Sequence, residues 1–141
     1  MRLDAILRAH EFMKVERPPQ LWEADTEDVD FIPLLGEMIV AALRPGTEPA
    51  DLTLNASNVV VEEDEDTEGA PRAGPGEYVA VTVSGPGDWS SDRSWIPTSE
   101  SAPPAFRSLG PALLRARARW VYGRALPPAS SLTVFFSRLL R

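Results

Sequence analysis

Residues 78–84, Tyr78-Val79-Ala80-Val81-Thr82-Val83-Ser84, alternate with a period of two. That is the spacing at which successive side chains of a strand point to opposite faces. Val79, Val81 and Val83 fall on one face and must be covered; Tyr78, Ala80 and Thr82 fall on the other. A few strands cannot close into a barrel, so the valine face needs a second layer, and the rest of the chain has to provide it.

The partner strand is read over residues 51–62, where Leu52-Thr53-Leu54 alternates and Val59-Val60-Val61 is β-branched, with a bulge or turn expected at Asn55 to Asn58. Leu132-Thr133-Val134-Phe135-Phe136 gives a short third strand over 131–136, suited to a sheet edge or to a late addition beside a central strand. Helical spacing marks three further segments. Residues 4–14 carry Ile6, Leu7, His10 and Met13 near one face, and Pro18-Pro19 stops them. Residues 31–43 present Leu35, Met38, Ile39 and Ala42, with Asp30 as expected cap and Pro33 in the first turn. Residues 109–124 set Leu113, Leu114, Ala118 and Val121 inward, with Trp120 near the edge. The fold class expected is therefore α+β, with helices packed on one face of a small, mainly antiparallel sheet, in a single domain over 1–141.

Charge is segregated along the chain. The first hundred residues are net −14, whereas the last forty-one hold Arg107, Arg115, Arg117, Arg119, Arg124, Arg138 and Arg141 with no acid. Either the halves pair within one molecule or the tail offers a basic face to a partner. The overall charge of −7 argues against nucleic acid as that partner. The acidic, glycine- and proline-rich stretch at 63–75 is expected to be a solvated, mobile connection. Six carboxylates between Glu62 and Glu68 lack the ligand spacing and glycine turn of a calcium loop.

The chain has no cysteine and one histidine, His10. Thiolate chemistry, disulfides and histidine metal clusters are thereby excluded, and no cofactor is expected. The polar start of the chain and the absence of a long apolar run predict a cytoplasmic protein with no membrane segment. Gly85-Pro86-Gly87-Asp88 is read as a turn leaving the strand: Pro86 lacks an amide donor and no lysine follows, so it is a poor phosphate loop.

Trp89 and Trp95, with Asp92 and Arg93 between them, lie in a stretch without periodicity. Their indoles either cover the end of the core or line a recess for a small apolar ligand or peptide. Arg115 and Arg119, one helical turn apart on the expected helix with Trp120 beside them, make a basic surface. The function expected is non-catalytic protein recognition or homo-assembly through Trp89, Trp95, Arg93, Arg115, Arg119 and Trp120. A homodimer that covers the edge at Val134 to Phe136 is the specific form. The rival is a small cofactor-independent hydrolase or isomerase in which Asp88 and Asp92 share a buried recess.

Overall fold

The computed structural model describes residues 14–16, 18–43, 47–62, 75–97 and 102–139. The strands are β1 (Lys14–Glu16), β2 (Thr53–Val61), β3 (Gly76–Pro86), β4 (Arg93–Trp95), β5 (Trp120–Leu126) and β6 (Ala129–Ser137). Two α-helices accompany them, α1 (Asp28–Ala42) and α2 (Gly110–Arg115), with 3-10 turns at Pro49–Asp51 and Pro104–Leu109. The sheet order is β1-β2-β3-β6-β5-β4. β1 runs parallel to β2 and every other pair is antiparallel. The chain is a small α+β fold with two helices packed against a five-stranded antiparallel sheet, extended by the short parallel strand.

The valine face is buried as its alternation requires. Leu54, Val79, Val81, Val83, Val121, Leu132, Val134 and Phe136 are all fully buried, facing Phe31, Leu34, Leu35 and Met38 of α1 and Leu113 of α2. Phe31 meets Phe136 edge to face at 5.7 Å. Each such side chain contributes about 1.5–3 kcal/mol of transfer free energy, which makes this layer contact the main source of stability.

Four expectations about local structure change. The segment 109–124 is not one helix. α2 ends at Arg115, and β5 starts at Trp120. Arg117 adopts φ 59°, while Ala118 N–H donates to Leu113 and Arg117 N–H to Leu114. These two bonds close the helix in a Schellman turn. The run Trp120-Val121-Tyr122 is aromatic and β-branched, so it fits a pleated surface better than a helix. Val121 faces the core under either periodicity, which is why helical spacing captured it.

The strand at 131–136 is longer than expected, and of its two expected placements it takes the one beside a central strand, not the edge. β6 spans nine residues between β3 and β5, joined to β5 by a turn at a cis Pro127-Pro128 peptide. Val134 pairs with Val81 on one side and Val121 on the other. The edge invoked for a homodimer there is therefore already filled by β5. β2 runs without a bulge, its register with β3 unbroken from Thr53 to Val61.

At the N-terminal side, the helix expected over 4–14 lies outside the described residues except Lys14, which is in β1. The connection at 63–75 lies outside them too, apart from Pro75. α1 begins earlier than expected, with Glu27 as N-cap and no side-chain cap bond, so Asp30 and Pro33 sit inside the helix.

Candidate functional site

The loop after β3 is folded onto the β5–β6 hairpin. Gly87, at φ 100° in the region that favours glycine, donates its N–H to Pro128 at 2.8 Å. Its carbonyl accepts the Ser130 hydroxyl at 2.9 Å. This turn delivers Trp89 into the core, where its indole N–H donates to the Gly85 carbonyl at 3.3 Å. Trp95, on β4, stacks on Phe106 at 5.7 Å. Both indoles are 2% exposed. They cover the end of the core, and they leave almost no surface for a ligand.

Trp120 belongs to the opposite face of the sheet. Its ring stacks on Phe135 at 4.1 Å and meets Tyr78 edge to face at 4.6 Å. It is fully buried, and its indole nitrogen has no hydrogen-bond partner among the described residues. The structure thus separates Trp120 from Trp89 and Trp95 by the thickness of the sheet.

Arg115 and Arg119 do not share a helix face, because the chain turns between them. Arg115 ends α2 in solvent, and Arg119 donates to the Ser137 hydroxyl at 2.8 Å. Arg93 is exposed on the edge strand β4. Other arginines of the basic tail do pair with the acidic body. Arg117 reaches Asp25 at 3.3 Å and Glu27 at 3.7 Å, and Arg138 bridges to Glu77 and lies over the Trp22 ring at 4.3 Å. These pairs are substantially exposed, so each contributes about 0–1 kcal/mol.

Asp88 and Asp92 both face solvent. Asp92 accepts the Ala125 N–H at 3.0 Å, which satisfies a donor on β5 just beyond the end of β4 and blunts that sheet edge. An open apolar groove of about 290 Å³ lies nearby, lined by Asp51, Thr53, Ser84, Gly85, Pro86, Pro128 and Ala129. Neither Asp88 nor Asp92 lines it. Among the described residues no cluster of three metal-binding side chains occurs, and no helix is long and apolar enough to cross a membrane. His10 lies outside the described residues.

The feature that the sequence reading missed is the outer face of α1. Val29, Ile32, Pro33, Gly36 and Val40 are all exposed, with Val29 at 76%, Ile32 at 51% and Val40 at 68%. At 3.6 residues per turn these five positions fall within an arc of about 100°, opposite the buried face made by Phe31, Leu34, Leu35 and Met38. A Cβ placed on Gly36 would meet nothing within 4 Å. The helix backbone is therefore open between Ile32 and Val40. Leu114, 51% exposed, adds apolar surface on α2, which packs beside α1. The signal is in the sequence: α1 is apolar on both sides, and only one side is needed to cover the sheet. No protein-family model and no curated protein matches the chain.

Proposed function

We propose that this protein acts by non-catalytic recognition or assembly, with the outer face of α1 as its contact surface. The supporting observation is the continuous exposed stripe Val29–Ile32–Pro33–Gly36–Val40 on a helix whose other face is committed to the core. Scattered surface apolar residues are ordinary, but a stripe at contact spacing along three helical turns is the pattern of helix docking. The open backbone at Gly36 favours close approach of a second element. The role first expected of Trp89 and Trp95 passes to this helix, because their rings sit in the core.

A photoreactive residue at position 36, introduced in cells that make the protein, tests the reading. The expected result is a protein adduct of defined mass, lost when Ile32 and Val40 are both replaced by Gln and absent when the photoreactive residue stands at exposed position 124. Equal labelling from positions 36 and 124, or no defined adduct, would overturn it.

A further inference from the structure

The ionisable side chains that flank the stripe on α1 itself carry one sign of charge. Asp28, Asp30 and Glu37 are the only ionisable residues within the helix, and it has no basic residue in its last turn. Arg117, which reaches the start of the helix, is committed to Asp25 and Glu27. Asp28, Asp30 and Glu37 make no ion pair with the described residues. A second copy docked helix to helix would bring two such acidic rims together, and like charges around an apolar contact oppose association. A partner whose rim is basic would find both complementary surface and complementary charge.

Resting on the recognition reading above, we infer that the occupant of the α1 face is an amphipathic helix of a different protein, apolar at i, i+3, i+4 and i+7 and flanked by lysine or arginine. Its apolar ridge lies along Val29, Ile32 and Val40 and crosses α1 at Gly36, where no side chain stands in the way. Its cations meet Asp28, Asp30 and Glu37. The acidic rim selects against self-pairing, and the apolar stripe separates this contact from diffuse attraction of any cation to an acidic protein.

Two 18-residue peptides with the same leucine face, one rimmed by Lys and one by Glu, test this against the full chain by fluorescence anisotropy, with sedimentation of the protein alone alongside. The expected result is saturable 1:1 binding of the Lys-rimmed peptide, at least tenfold tighter than the Glu-rimmed one and weaker at high salt. The Ile32→Gln/Val40→Gln variant, whose charge is unchanged, loses at least tenfold of that affinity. Equal binding of both peptides, no binding, or Lys-peptide binding indifferent to the double substitution overturns the inference. So does a dimer in sedimentation that the double variant abolishes, a result that leaves the recognition reading standing with a second copy as partner. Failure of the peptides together with failure of labelling from position 36 removes the recognition reading as well.

Discussion

Asn58 accepts the backbone N–H of Trp22 at 2.9 Å, and the same side-chain amide donates to the Gln20 carbonyl at 2.8 Å. One side chain thus satisfies one donor and one acceptor of the segment that leads from β1 toward α1, as a neighbouring strand would. Beyond it Asp25 N–H donates to Ser137 and Leu139 N–H to Glu23, pinning the same segment to the end of β6. At about 0.5–1.5 kcal/mol per net hydrogen bond, Asn58→Ala should cost about 1–3 kcal/mol in urea unfolding. Asn58→Asp keeps the acceptor and loses the donor, so its loss should be about half of that.

Two glycines with opposite surroundings should answer alanine in opposite directions. A Cβ at Gly123 would stand 2.6 Å from the Ser91 carbonyl oxygen and 2.8 Å from the Ser90 hydroxyl. The carbonyl is backbone and cannot swing away, so Gly123→Ala should cost about 1–3 kcal/mol. Gly36 sits in a helix with open space around it, where alanine should add up to about 1 kcal/mol. Thermal unfolding of the two variants side by side measures the contrast.

Arg117 occupies the helix-ending position at which glycine is most common. Its left-handed conformation costs about 1–2 kcal/mol for a residue with a Cβ, against exposed ion pairs that return about 0–1 kcal/mol. Arg117→Gly should therefore leave stability within about 1 kcal/mol of the parent. Arg117→Val, β-branched and uncharged, should lose about 2 kcal/mol. Chemical unfolding at low and high salt separates the two contributions, because only the ion-pair part is screened.

The central antiparallel pair was legible because Val79, Val81 and Val83 alternate without interruption and their partners in β2 do so in part. α1 was legible as well, since its buried face repeats at helical spacing. β5 was not, because Leu113, Leu114, Ala118 and Val121 lie at helical spacing across what is a helix, a turn and a strand in succession, with Leu114 exposed. Only the tertiary demand for a neighbour to β6 decides between them. β4 was hidden by its three-residue length. The tryptophan loop shows the limit of reading a site from residue type: Trp89 and Trp95 are as suited to closing a core as to lining a recess, and the turn at Gly87 directs the first of them inward. The α1 stripe escaped notice because apolar residues in a helix are counted toward the core by default.

If the stripe faces solvent in the free protein, then Ile32 and Val40 contribute to contact and not to folding. The unfolding free energy of Ile32→Gln/Val40→Gln, measured in urea, tests this most directly. Glutamine is a slightly better helix former than isoleucine or valine, and exposed sites change stability by about 0.5 kcal/mol or less. The predicted result is a double variant at least as stable as the parent, within about 1 kcal/mol. A loss of more than about 2 kcal/mol, the scale of buried apolar side chains, would show that this face is packed inside the folded chain and contradict its role as a contact surface.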